Sequence, residues 1–340
     1  MTQKFNIAVL GATGVVGEAV LEILAQRQFP VGKMYALASE KSAGSVVLFK
    51  NKSIIVEDAE QFDFSQADIC FSAVDAEIAA AIIPKAASSG CIVIDKSSHY
   101  RYDKDVPLVI PEVNPEALEY YREKNIIAVP NCSTVPFLIA LKPLVDAVGV
   151  VRVNVSTYQS VSGAGKNGIE ELSEQTRDIL NGKGVKIKHF PVQIAFNLIP
   201  QIDQYLDNGY TKEEMKMVWE SQKILNDPDI LINPTAVRVP VFYGHSESLH
   251  IETRDKISAS DARLLLKQSP GIIVIDEHKP GKYPTPLMLS ESEDAVFVGR
   301  IREDISCENG LNLWVVADNV RKGSALNAIQ IAEILIAEYL

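Results

Sequence analysis

The chain has 340 residues, enough for two domains of ordinary size. Its hydrophobic content of 47% and charged content of 23% are those of a globular protein in water. A net charge of −11 argues against nucleic acid or an anionic membrane as the main partner, so an anionic ligand would have to be caught by a local cluster of basic residues.

In chain order, FNIAVLG reads as a strand and VVGEAVLEILAQ as a helix with Val16, Val20, Leu21 and Leu24 on one side. KMYALAS, DICFSAV, CIVIDKS and NIIAVPN continue the strands, with the helical AEIAAAIIPKAASSG between the second and third of these. Continuous apolar strands separated by helices predict a parallel sheet covered on both faces, an α/β Rossmann-like domain over residues 1–130. From about residue 150 the pattern changes: VVRVNVSTYQSV, TAVRVPVFYG, SLHIETRD, GIIVIDE, AVFVGRIRE and LNLWVVAD alternate apolar with polar residues. That predicts a largely antiparallel or mixed sheet with one solvated or interface face. With helices expected at about 165–180, 211–225 and 260–268, residues 131–319 read as an α+β second domain. A last helix within 320–340, SALNAIQIAEILIAEYL, carries an apolar stripe that is expected to pack back on the first domain.

The N-terminal MTQKFNIAVLGATG lacks the charged and cleavable apolar segments of a signal peptide, and no apolar run reaches the roughly 18 residues of a membrane span. Cysteines at 70, 91, 132 and 307 are widely spaced without a CxxC pair. That fits a reducing cytoplasm and gives no sign of a disulfide framework or a metal site.

VLGATGVVGEAV places Gly11, Gly14 and Gly17 directly after the first strand and at the opening of a helix. Gly11 suits a tight turn, Gly14 lets backbone N–H groups approach a pyrophosphate, and Gly17 allows close helix–strand packing. The spacing is GxxGxxG rather than the usual GxGxxG, but its strand–loop–helix setting points to a dinucleotide held by Gly11, Thr13, Gly14, Val15 and Val16. After the second strand, ALASEKSAG offers Ser39, Lys41 and Ser42 for a 2′-phosphate, which points to NADP. Glu40 dissents, though adjacent side chains of an extended segment point opposite ways, and a solvated polar loop is the alternative.

Cys70 and Cys91 lie in apolar strands, where a thiol is usually a small buried hydrophobe. Cys307 precedes a turn. Cys132, in PNCSTVPF, follows the last Rossmann-like strand and precedes a helix that Ser133 or Thr134 can cap. A helix N-terminus favours the thiolate, so Cys132 is a candidate nucleophile, with an inert thiol as the competing reading. A thiolate attacking a carbonyl needs an acid/base partner. His189 and His278 stand in loops and His250 is expected to face solvent. His245, at a strand end in VPVFYGHSES, is the preferred base, with His99 in reserve.

GATGVVG, PNCST, YQSVSGAG, RVPVFYGHSES and ADNVRKGSALNAIQIAE follow one another over nearly the whole chain, and in that order they resemble the aspartate-β-semialdehyde dehydrogenase family. The resemblance implies reversible, NADPH-dependent reductive dephosphorylation of 4-phospho-L-aspartate to L-aspartate 4-semialdehyde, on the route to lysine, threonine and methionine. It implies Cys132 as the thioester nucleophile, His245 as the acid/base that takes the hydroxyl proton as hydride leaves, and Gln159 as the group orienting the intermediate. Arg238 would grip the substrate carboxylate, Glu220 and Lys223 the substrate amine and the phosphate, and Arg101 the phosphate with Asn131 nearby. Ser162, Gly163 and Asn319 would be outer cofactor contacts. A cytoplasmic homodimer acting on small molecules is expected, with neither nucleic acid nor membrane as partner. N-acetyl-γ-glutamyl-phosphate reductase shares the same cofactor and cysteine logic, and a catalytically silent NADP-binding paralogue is the non-enzymatic alternative.

Overall fold

The apolar runs of the first 130 residues form one seven-stranded sheet. The computed structural model describes residues 3–291 and 294–340, and the chain divides into two units, Met1–Asn131 with Ser324–Leu340, and Cys132–Gly323. In the first unit the strands are β1 (Phe5–Leu10), β2 (Val31–Ala38), β3 (Val46–Phe49), β4 (Lys52–Asp58), β5 (Ile69–Ser72), β6 (Ile92–Asp95) and β7 (Ile126–Ala128), in the order β3-β4-β2-β1-β5-β6-β7. Helices α1 (Val15–Gln26) and α2 (Ala76–Ser88) cross between them. β1, β5 and β6 are buried on both faces, which is why they read as unbroken apolar runs.

The sequence reading omits the β3–β4 hairpin, which is the antiparallel departure from an otherwise parallel sheet. Its turn is Lys50–Asn51 with φ of 49° and 60°. Two successive left-handed residues make the tight hairpin turn that matches strand twist. Lys-Asn lacks the glycine that normally announces such a turn. At the opposite end of β1, Gly17 is pressed onto the loop before it: a Cβ there would stand 2.1 Å from the Gly11 carbonyl oxygen.

The second unit begins with α3 (Thr134–Val148) and β8 (Val150–Gln159), followed by α4 (Gly165–Leu180) and α5 (Lys212–Ile224). β9 (Leu231–Arg238), β10 (His245–Thr253), α6 (Ala259–Gln268), β11 (Ile272–Val274), β12 (Val296–Glu303) and β13 (Gly310–Ala317) complete it. The sheet order is β11-β12-β13-β10-β8-β9, antiparallel at its centre, with parallel pairs at both edges. The strand expected over TAVRVPVFYG starts earlier and stops at Arg238. Pro240, two residues later, has no N–H to continue a ladder.

On β8, Val153, Val155, Thr157 and Gln159 are buried while their neighbours are less so, the alternation of a sheet with one covered face. The same covered face of β10 carries His245, Glu247, Leu249 and Ile251. Glu247 is an anomaly there: it is 1% exposed, and neither carboxyl oxygen has a hydrogen-bond partner among the described residues. Burial pushes its pKa well above the usual carboxylate range.

After β13 the chain passes through a π-helical turn, Arg321–Ala325, into α7 (Leu326–Glu338). Leu326, Ile329, Ile331 and Leu335 belong to the same apolar cluster as Ile7, Val9 and Leu24 of the first unit. Arg27 at the end of α1 grips the Glu333 carboxylate through two bonds of 2.7 Å. Among the described residues no helix is long and apolar enough to cross a membrane.

Candidate active site

Cys132 opens the second unit, one residue before Ser133, the N-cap of α3. Its Sγ lies 3.4 Å from Nε2 of His245, the first residue of β10. The thiol is half-buried and the imidazole is 1% exposed. Burial and then the Arg238 guanidinium lower the His245 pKa to about 3, and Glu213 and the Gly244 carbonyl oppose that only in part. The other strand cysteines are of a different kind: burial is the main cause that pushes Cys91 up to about 12 and Cys70 well above the usual thiol value. Thiolates are nucleophiles and buried thiols are not, so the geometry separates Cys132 from them.

Three neighbouring strands supply the other groups. Gln159 and Arg238 are paired across β8 and β9, and Ser246, beside His245, pairs with Tyr158, beside Gln159. Arg238, Gln159 and His245 therefore form one row at the end of the sheet, all on its covered face. Gln159 Nε2 is within hydrogen-bond distance of Ser133 Oγ (3.1 Å), Thr157 Oγ1 (3.2 Å) and Glu213 Oε1 (3.4 Å). Arg238 donates through Nη1 to the Ser160 carbonyl at 2.8 Å. Burial draws the Arg238 pKa below the usual arginine value, against the pull of Glu213 and the Cys132 sulfur.

The acidic and basic pair expected at Glu220 and Lys223 is one of two such pairs on α5. The α5 residues that reach this row are Glu213, buried beside Gln159, and Lys216, bonded to Glu213 at 2.8 Å and to Asp203 at 2.9 Å. Burial works against the Lys216 charge, but the Glu213 and Asp203 carboxylates outweigh it and hold its pKa above the ordinary lysine range. Glu220 and Lys223 stand seven residues further on, about 10 Å along the helix axis. Glu220 is fully buried there and Lys223 half-buried.

Asn319 ties the surrounding loops together. Its Oδ1 accepts from the Gly244 N–H (3.0 Å), Ser160 Oγ (3.0 Å) and Ser162 Oγ (3.1 Å). Gly163 lies so close to the row that a Cβ would stand 2.9 Å from Arg238 Nη1 and 3.4 Å from His245 Cε1. Gly323, which the sequence reading did not single out, backs the nucleophile: its Cβ would meet the Cys132 Cβ at 3.1 Å.

In the first unit, α1 starts on Gly14 with no side-chain hydrogen bond capping it. Thr13, Val15 and Val16 are half-buried around that start. Ser39 and Lys41 are exposed and Ser42 half-buried, in the 3-10 turn that follows β2. Arg101 is buried, its guanidinium held by the carbonyls of Val129 (2.9 Å) and Lys96 (2.6 Å), and Asn131 is buried at the end of the segment after β7. His99 is exposed, its ring edge-on to Tyr100. His250 projects from the uncovered face of β10, where it bonds Asp304 rather than facing water alone.

A dinucleotide-type loop in one unit and a cysteine–histidine pair in the other are the parts expected of an aldehyde dehydrogenase. Residues 6–121 match the semialdehyde dehydrogenase NAD binding domain, and residues 141–322 match the semialdehyde dehydrogenase dimerisation domain. The chain belongs to the aspartate-semialdehyde dehydrogenase family. It is 56% identical over 339 residues to aspartate-semialdehyde dehydrogenase 2 of Vibrio cholerae, with all of both chains covered. A crystal structure of aspartate semialdehyde dehydrogenase II from V. cholerae complexed with ASA superposes with a TM-score of 0.97 at 55% identity, over all of both chains. The Candida albicans enzyme, crystallised with NADP, gives a TM-score of 0.77 at 26% identity over 98% of each chain.

Proposed function

We propose that this protein is an aspartate-semialdehyde dehydrogenase that interconverts 4-phospho-L-aspartate and L-aspartate 4-semialdehyde through a thioester on Cys132. The observation that carries the reading is the Cys132–His245 contact at 3.4 Å beside the buried Arg238, in a chain that shares 56% identity with a relative of that name. The reaction belongs to the biosynthesis of lysine, threonine and methionine. The cofactor is NADP. The uncapped start of α1 and the tight Gly11–Gly17 approach suit a pyrophosphate held by Gly11, Thr13, Gly14, Val15 and Val16. Ser39, Lys41 and Ser42 are assigned to the 2′-phosphate, and Ser162, Gly163 and Asn319 to the nicotinamide side. When bound, the nicotinamide supplies or accepts the hydride.

Cys132 adds to the aldehyde carbon, or to the acyl phosphate in the opposite direction, and carries the acyl group. Arg238 binds the substrate carboxylate, for which a planar guanidinium is the matching partner. Gln159 orients the adduct. Glu213 takes the substrate ammonium, and Lys216 serves the phosphate together with Arg101 and Asn131. A second subunit joins through residues 141–322, and the enzyme works in the cytoplasm.

Glu213→Gln is expected to raise KM for the amino aldehyde by about 10- to 100-fold, the worth of one charge-assisted hydrogen bond, with a smaller change in kcat. Glu220→Gln should shift KM by no more than about twofold. The opposite ranking in steady-state kinetics returns the ammonium site to Glu220.

The test of the function is absorbance at the NADPH band with purified protein, NADP⁺ and aspartate semialdehyde, with and without phosphate. Fast phosphate-dependent formation of NADPH supports the reading. Turnover with N-acetylglutamate semialdehyde alone moves the protein to the reductase of that substrate.

A further inference from the structure

Glu213 and Lys216 stand near the start of α5, so whatever fixes that start also fixes them. The chain reaches it through residues 203–211, a loop folded on itself. The Leu206 N–H donates to the Tyr210 carbonyl at 2.8 Å, the Lys212 N–H donates to the Gln204 carbonyl at 2.8 Å, and Asp203 accepts from Lys216 at 2.9 Å. The Tyr210 hydroxyl reaches Asn233 Oδ1, on the uncovered face of β9, at 2.7 Å. We propose that Tyr210 is a positioning residue for the reaction: its hydroxyl, anchored by a chain of side chains across that face, holds the start of α5 and with it the groups assigned to the substrate ammonium and the phosphate. The proposal rests on the dehydrogenase reading above and on the roles given there to Glu213 and Lys216.

The direction of each link in the chain follows from the groups that make it. A guanidinium only donates, so the Asn154 atom that Arg152 Nη2 meets at 3.3 Å is the amide oxygen, Oδ1. Asn233 Nδ2 donates to the same oxygen at 2.9 Å, which turns Asn233 Oδ1 toward Tyr210 and makes the tyrosine the donor. On its other side Asn154 directs Nδ2 at His250 Nδ1, 3.5 Å away, and His250 Nε2 meets the Asp304 carboxylate. The Ser306 N–H and hydroxyl lower the Asp304 pKa to about 2, with desolvation opposing them and the His250 ring adding to the fall, so the chain ends on an acceptor. Asn233, Asn154 and His250 are cross-strand partners on β9, β8 and β10. The anchor is therefore built into the register of the sheet.

At the other end, Tyr210 adjoins the residue on which the helix is built. The Thr211 hydroxyl accepts from the Glu214 N–H at 3.3 Å, and the Glu214 carboxylate accepts from the Thr211 N–H at 2.7 Å and from the Ala236 N–H of β9 at 3.0 Å. Glu214 thus holds the helix start to β9 at one point and Tyr210 holds the loop before it at a second. Loss of the second point leaves α5 in place but loosens its first turn, which moves Glu213 and Lys216 relative to Gln159.

The test is a set of variants of the full-length enzyme, read by kinetics and by amide hydrogen exchange. Tyr210→Phe removes one hydroxyl and keeps the ring. It is expected to raise KM for phosphate and for the amino aldehyde about three- to tenfold, the worth of one neutral hydrogen bond, with kcat and NADP binding within about twofold of wild type. Asn233→Ala should reproduce the change, and the two substitutions together should add nothing to it. In a Lys216→Met background Tyr210→Phe should leave KM for phosphate where Lys216→Met alone puts it, because the group it positions is gone. In the resting protein without substrate, Tyr210→Phe should speed amide exchange about three- to tenfold at residues 214–216 and leave β8 and β10 unchanged. Unaltered KM values, a fall in kcat alone, or the same rise in phosphate KM with and without Lys216 overturn the proposal. Unchanged exchange with normal turnover overturns the anchor and leaves the dehydrogenase reading standing. Faster exchange with no turnover of aspartate semialdehyde overturns that reading and leaves the anchor.

Discussion

Cys132→Ala is expected to lower phosphate-dependent NADPH formation by about 10⁴-fold or more, with NADP binding nearly unchanged. The size follows from covalent catalysis: without the thiolate there is no adduct from which hydride can leave and no thioester for phosphate to attack. Binding survives because the residues assigned to the pyrophosphate and the 2′-phosphate, Gly11 to Val16 and Ser39 to Ser42, lie in the other unit. Alanine at 132 also keeps the Cβ that packs against Gly323, so the start of α3 has no reason to shift. Steady-state rates and isothermal titration with NADP measure the two halves of the prediction separately. Turnover within tenfold of wild type removes Cys132 from the mechanism, and loss of NADP binding shows that the substitution reached beyond the thiol.

Glu247→Gln should make stability less dependent on pH and make the protein more stable than wild type in alkaline solution. The Glu247 carboxyl is fully buried with neither oxygen bonded among the described residues, and its pKa in the folded protein is raised well above the ordinary value. In the unfolded chain it titrates normally, near 4.3. Below that pH both states hold the proton and the group is neutral in the balance. Above it the unfolded chain ionises first, so wild-type stability falls by about 1.4 kcal/mol per pH unit until the raised folded-state pKa is passed. Glutamine fills nearly the same volume and has no proton to lose. Urea unfolding of both proteins at a series of pH values from 5 to 9 should give curves that diverge as pH rises, and parallel curves would show that Glu247 is ionised in the fold.

Most of the elements were legible because their residues carry a clear period. β1, β5 and β6 are unbroken apolar runs, and α4, α5 and α6 begin and end near their expected bounds. The pairing of Cys132 with His245 was legible because each sits at the edge of an element, Cys132 before a helix and His245 after a glycine. Which acidic and basic pair of α5 stands beside Gln159 was not legible, for a physical reason. Glu-x-x-Lys occurs twice on that helix, at 213–216 and 220–223, and seven residues return to almost the same face. The face was therefore readable and the depth was not. The capping box of Thr211 and Glu214 fixes the helix start, but only the packing of α5 beside β8 and β9 shows that its first turn reaches Gln159.

Arg238, Gln159 and His245 occupy one row across β9, β8 and β10. A row of this kind makes the chemistry hostage to alignment rather than to any single residue. An insertion of one residue in β8 upstream of Gln159 would leave every amino acid present, yet carry Gln159 to the uncovered face and leave Arg238 and His245 facing a different neighbour. Substitutions can be absorbed one at a time along such a strand, whereas changes of length cannot. Descendants of this gene are therefore expected to drift freely in residue identity on the uncovered face of β8 while holding its length fixed, with insertions and deletions gathered in the loops beyond.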